Sequence, residues 1–124
     1  MLILVDTSIW IDHLRQEEAQ LKQLLTQGQV ATHPFIIGEI ACGNLNNRQA
    51  ILSYLDNLEK VKQAEHHEVI YLIEKCQLMG KGIGYIDAHL LASCLINQAT
   101  HLWTRDKRLN KLATNLKLNF DKYH

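Results

Sequence analysis

The stretch LILVDTSIW (residues 2–10) decides the reading of this chain. An apolar run from Leu2 to Val5 meets Asp6, Thr7 and Ser8, and the apolar pattern resumes at Ile9 and Trp10. A short uninterrupted apolar run followed by cap-forming residues is how a strand buried on both faces hands over to a helix. A carboxylate at such a junction costs free energy unless something holds it. What holds Asp6 is therefore the first question the sequence poses.

Working outward, strand-length apolar runs occur at LILV (2–5) and HLWT (101–104), with weaker ones at QVAT (29–32), KVKQA (60–64) and KLNF (117–120). Between them the spacing is helical: IWIDHL, EEAQLKQLLTQG, PFIIGEIACGN, RQAILSYLDNL, HHEVIYLIEKCQLMG and YIDAHLLASCLINQ place apolar residues three or four apart. Pro34 stands at a first-turn position, and Gly or Asn follows several of these segments. Short strands alternating with helices predict an α/β fold with a short, mostly parallel sheet covered by helices on both faces. No repeat and no linker-like stretch divides residues 1–124, so one domain is expected.

With 47% hydrophobic and 21% charged residues in 124, the composition is that of an ordinary globular domain able to bury about two thirds of its unfolded surface. Lys+Arg 13 balance Asp+Glu 13, which removes bulk charge as an argument for indiscriminate nucleic-acid or membrane binding. From His101 onward the balance shifts: Arg105, Lys107, Arg108, Lys111, Lys117 and Lys122 face only Asp106 and Asp121. Such a cluster is either a solvated helix face or a local phosphate-contacting surface. Cys42, Cys76 and Cys94 are odd in number, widely spaced and set in apolar helical patterns, which reads as buried thiols in a reducing compartment. No secretory signal and no stretch of about 20 apolar residues is present, so a cytoplasmic protein without a membrane segment is expected.

Strand ends in parallel sheets are where ligands collect, and LILV delivers Asp6 there as HLWT delivers Asp106. Either acid alone is also a candidate helix N-cap. Two further acids lie on apolar helix faces: Glu39 with Phe35, Ile36, Cys42 and Gly43, and Asp87 with Leu90, Leu91 and Cys94, while His89 and Ser93 lie to the side. Neither PFIIGEIACGN nor GYIDAHLLASCLINQ contains a Lys or Arg to neutralise its acid. Convergence of Asp6, Glu39, Asp87 and Asp106 on one pocket with a divalent cation would account for all four. Hard oxygen donors without Cys or His at metal-ligand spacing suit Mg²⁺ or Mn²⁺, and such sites leave room for substrate phosphate.

With those residues in hand, the chain resembles a PIN-domain ribonuclease, and more closely a VapC-type toxin of a prokaryotic toxin–antitoxin pair. The resemblance rests on DTSIWID (6–12), GEIACG (38–43), YIDAHLLASC (85–94) and WTRDKRL (103–109), in the family's order and over essentially the whole chain. It implies that Asp6, Glu39 and Asp87 are catalytic metal ligands and that Asp106 occupies the family's more variable fourth acidic position. Ser8 and Thr104 fall where the family has small hydroxyl residues that orient the carboxylates. The implied chemistry is metal-assisted in-line hydrolysis of RNA, with Arg105, Lys107 and Arg108 as candidate RNA contacts. A protein antitoxin covering the acidic pocket, and a homodimer, are implied as well.

Three other readings compete. Seven His, with His66 and His67 adjacent, allow a metal-independent ribonuclease using imidazole as acid and base, although the pair also suits a helix start. A catalytically inert PIN-fold domain that binds RNA or protein has no use for an intact acidic set. An aspartyl-phosphate enzyme wants a second Asp two positions after the nucleophile, where Ser8 stands.

Overall fold

A computed structural model describes residues 1–121. Its strands are β1 (Leu2–Val5), β2 (Val30–Thr32), β3 (Glu59–Lys60) and β4 (Thr100–Trp103). The helices are α1 (Thr7–Arg15), α2 (Ala19–Thr26), α3 (Pro34–Ala41), α4 (Arg48–Asp56), α5 (His66–Cys76), α6 (Tyr85–Ile96) and α7 (Lys107–Asn115). The strands form one sheet in the order β3-β2-β1-β4, and every pairing is parallel. β1 pairs with β4 from Leu2↔Thr100 to Val5↔Trp103, and with β2 through Ile3↔Val30 and Leu4↔Ala31.

Successive strand residues point to opposite faces. Ile3, Leu4 and Val5 are all fully buried, so both faces of β1 are covered, which is why this strand reads as an unbroken apolar run rather than an alternation. Pro34 takes the first turn of α3, where its missing N–H costs nothing, and His33 Nδ1 accepts from the Phe35 N–H at 3.0 Å as the cap. Ile36 and Ile40 form the inner face of α3, Val69 and Leu72 that of α5, and Leu109 and Ala113 that of α7.

The structure corrects several expectations. KVKQA gives only the end of the two-residue β3, and KLNF gives no strand, only an isolated bridge of Asn119 to Leu102. Each segment is too short and too polar to extend the sheet: Lys62 and Gln63 face solvent. The basic stretch after β4 forms α7, with Lys107, Arg108 and Lys111 on its exposed side; Lys122 lies outside the described residues. Of the three cysteines only Cys94 is buried, its thiol pushed up to about 12 by burial; Cys76 is half-buried and Cys42, just past the end of α3, is exposed. No helix among the described residues is long and apolar enough to cross a membrane.

His89 and Ser93 do not lie to the side of α6. That helix is buried on most of its circumference, and both residues are within the core. Ser93 Oγ accepts from the Ala64 N–H at 3.1 Å and lies 3.3 Å from His33 Nε2 and 3.4 Å from His89 Nδ1. This network ties the ends of β2 and β3 to α6. Burial, with His89 nearby, lowers the His33 imidazole to about 4.

Folded His33 therefore takes up its proton near pH 4, whereas the unfolded side chain does so near its ordinary 6.5. Between those values the unfolded chain binds more protons, and stability falls as pH drops through that window. His33→Asn keeps a capping acceptor and removes the titration. Melting temperatures measured across the window should fall less steeply for the variant than for wild type; parallel slopes would refute this role for His33.

Candidate active site

Because all strands are parallel, the helices α1, α3 and α7 start at one edge of the sheet, the carboxyl edge, directly after β1, β2 and β4. Asp6 sits at the end of β1 and is only 8% exposed. It occupies the N-cap position of α1, yet its side chain makes no capping bond. Its Oδ2 instead accepts from Thr104 Oγ1 at 2.7 Å and from Ser8 Oγ at 3.1 Å. Ser8 Oγ in turn accepts from the Arg105 N–H, and Thr104 Oγ1 from the Asp106 N–H, both at 3.1 Å. Each hydroxyl thus spends its proton on the carboxylate and its lone pair on the backbone after β4, which fixes the Asp6 rotamer and locks β1 to β4.

Glu39 is exposed rather than turned to the core. The inner stripe of α3 is taken by Ile36 and Ile40, and Glu39 stands beside that stripe, near enough to Asp87 for its charge to act there. Its Oε1 accepts from Thr7 Oγ1 at 2.7 Å. Thr7 was not among the residues singled out in the sequence; its position between Asp6 and Ser8 was the available signal.

Asp87, at the third position of α6, is half-buried. Its carboxyl is raised above the ordinary range, chiefly by burial and further by the negative charges of Asp6, Asp106 and Glu39; a backbone hydrogen bond at Gly84 partly offsets this. The four acids therefore share one electrostatic environment, although they come from four separate segments of chain. Asp106 is exposed and does cap α7, its Oδ1 accepting from the Leu109 N–H at 3.0 Å. The cap and the pocket are compatible, since a carboxylate holds further lone pairs beyond the one bonded to the helix.

The basic residues of the segment divide. Arg105 Nε pairs with Asp12 at 2.5 Å and its Nη2 with Glu18 at 3.0 Å, so this guanidinium is engaged within the protein. Lys107 and Arg108 are exposed, and Arg108 lies against Gly82 and lines an open cleft with Lys81 and Lys111. The His66–His67 pair opens α5 with its side chains diverging: His66 Nδ1 meets Tyr85 Oη at 2.8 Å, and His67 Nδ1 meets Glu65 at 3.3 Å.

A hard divalent cation fits the donor set of the pocket: carboxylates from four segments, three of them close enough for their charges to raise Asp87, with no ion pair to any of the four among the described residues. The acids form no compact set of three ligand atoms; among the described residues that occurs only at Glu65, His67 and Glu68, within 4.8 Å. Those three lie at the start of α5, where Glu68 Oε1 already accepts from the Glu65 N–H at 2.9 Å. A looser acidic pocket fits a hard cation that keeps part of its own water shell.

Comparison with known proteins agrees with this geometry. Residues 3–115 match the PIN domain family. The chain is also similar to Ribonuclease VapC32 of Mycobacterium tuberculosis (strain CDC 1551 / Oshkosh) and of Mycobacterium tuberculosis (strain ATCC 25618 / H37Rv). Each is 44% identical over 108 residues, a span covering 87% of this chain and 87% of the relative. With the family match spanning nearly all of the parallel sheet and its acidic edge, the chain belongs to the PIN-domain family, among its VapC-type ribonucleases.

Proposed function

We propose that the chain is a metal-dependent endoribonuclease and the toxin of a toxin–antitoxin pair, with Asp6, Glu39, Asp87 and Asp106 holding Mg²⁺ or Mn²⁺ and Ser8 and Thr104 supporting Asp6. The observation that carries this reading is the coupling of Asp87 to the other three acids at the strand ends, without a neutralising ion pair. The relatives named as ribonucleases support the reaction class. The same reading brings a cytoplasmic setting, a homodimer, and a protein antitoxin whose cationic segment is complementary to the anionic mouth.

A bound divalent cation supplies positive charge beside the scissile phosphate and makes a water acidic enough to act as nucleophile near neutral pH. The protein's own contribution is orientation. Ser8 and Thr104 hold the Asp6 carboxylate from one side, which leaves Oδ1 turned away from those bonds, and Thr7 does the same for Glu39. Lys107 and Arg108 stand exposed on α7 beside Asp106, and this reading assigns them the phosphates flanking the one that is cut.

Purified chain, free of any antitoxin, should cleave its RNA with Mg²⁺ or Mn²⁺, stop in EDTA and recover with excess Mn²⁺; full activity in EDTA would falsify the metal site. Expression of the chain alone should arrest bacterial growth, and co-expression of its antitoxin should restore it. A soluble, folded wild-type chain that leaves growth untouched argues against a toxin.

Asp87→Asn tests the cost of the site. The variant keeps a side-chain oxygen for the Gly84 backbone bond and deletes one of the repelling charges. Because the folded carboxyl is raised, ionised Asp87 opposes folding above its folded pKa, and acidification relieves that opposition. Without metal the variant should melt at the same temperature as wild type or higher. Stabilisation by Mn²⁺ should weaken and cleavage should fall by at least about a hundredfold, the upper range seen when mere supporting groups of metal sites are removed. A destabilised variant that still cleaves would sink the assignment.

A further inference from the structure

Five rings run in contact from the core to the surface next to the acids. His33 packs on Phe35 with centroids 5.0 Å apart, Phe35 on His89 at 4.5 Å, His89 on Tyr85 at 5.8 Å and Tyr85 on His66 at 5.5 Å. His33 and His89 are buried and Phe35 is half-buried, whereas Tyr85 is 41% exposed and His66 is exposed. The inner rings are anchored through Ser93, and the outermost pair is fixed by the hydrogen bond between Tyr85 Oη and His66 Nδ1. Tyr85 is thus held in place at its edge and hydroxyl while much of its surface faces water. An exposed aromatic ring that is already immobilised loses little side-chain entropy when something stacks on it.

Position gives this shelf a ligand. Phe35 precedes Glu39 by one turn of α3, and Tyr85 opens α6 two residues before Asp87, so the two helices that carry the outer acids also carry the rings. The cations of α7 are close by as well: Arg108 lies against Gly82, three residues before Tyr85, and lines a cleft with Lys81 and Lys111. A polyanion at the acids therefore has both a ring and cations within its reach. Sequence-tolerant capture of single-stranded RNA uses this combination, since every base has a π-face to stack on an aromatic ring.

We propose that Tyr85, braced by His66 and His89, stacks an unpaired base of the RNA strand whose phosphate lies at the acidic pocket, an inference that rests on the nuclease reading above. Tyr85 acts here as a substrate-binding residue without touching the reacting atoms. Its ring contributes equally before and during bond cleavage, so its removal raises KM and leaves kcat nearly unchanged.

The test uses the full chain with Mn²⁺ and a single-stranded oligoribonucleotide carrying 5-iodouridine, which photocrosslinks to rings stacked on it. The crosslink should map to Tyr85 or His66 in wild type and be lost in Tyr85→Ser. In cleavage assays Tyr85→Ser should raise KM about five- to a hundredfold, as expected for a lost base–ring stack, and Tyr85→Phe should restore it. Crosslinks confined to other residues, or a wild-type KM in Tyr85→Ser, overturn the shelf. Failure of the nuclease reading looks different: wild type then shows no EDTA-sensitive cleavage, while the crosslink at Tyr85 still reports on the shelf directly.

Discussion

The buried carboxylate of Asp6 and the two hydroxyls that hold it constrain everything else at the site. Ser8 and Thr104 approach one oxygen from beyond the ends of the neighbouring strands β1 and β4, and each is committed in turn to a backbone N–H of the segment after β4. A charge that is only 8% exposed is tolerable here because two hydroxyls donate to it. Asp6, Glu39 and Asp106 all lie near enough to Asp87 for their charges to raise its carboxyl, although the four acids come from four segments of chain.

Helix ends and the acidic edge of the sheet draw on the same groups. Asp106 caps α7 through Oδ1, and Asp87 sits at a helix start with a backbone bond at Gly84 while taking the strain of three neighbouring charges. Helix starts favour acids through the dipole and the unpaired N–H groups. A family of folds that gathers helix starts at one sheet edge can therefore gather carboxylates there at reduced cost. At Asp106 the capping bond uses one lone pair of Oδ1 and leaves the rest of the carboxylate available.

How much the sequence discloses depends on whether the cause is local. LILV and HLWT read as strands because burial on both faces leaves an unbroken apolar run, and Pro34 marks a helix start by its own covalent geometry. Asp6 and Asp106 are visible for the same reason, as polar residues at the ends of apolar runs. Periodicity alone puts Glu39 on the apolar face of its helix, whereas it is exposed, because helical spacing gives angles around an axis but not where the helix rises clear of the sheet. Ser93 and His89 were assigned to the side of α6 because their burial comes from β2, α3 and the chain before α5, contacts at 29 and 60 residues' separation that no window spans. The division of the basic residues, with Arg105 bound to Asp12 and Glu18 and Arg108 left at the surface, is equally non-local.

The pairing of β1 with β4 has a consequence for how the protein comes into being. The two strands are neighbours in the sheet, yet Asp6 and Thr104 are 98 residues apart in the chain. Contacts of such long sequence separation form late, because the loop entropy must be met before they contribute. During synthesis, β1 through α6 can emerge and collapse while Thr104 and Asp106 are still within the ribosome. A chain cut short before β4 lacks both the strand that pins Asp6 and the fourth acid. The order of the elements thus leaves Asp6 without its hydroxyl partner from the far end of the chain until most of the molecule exists.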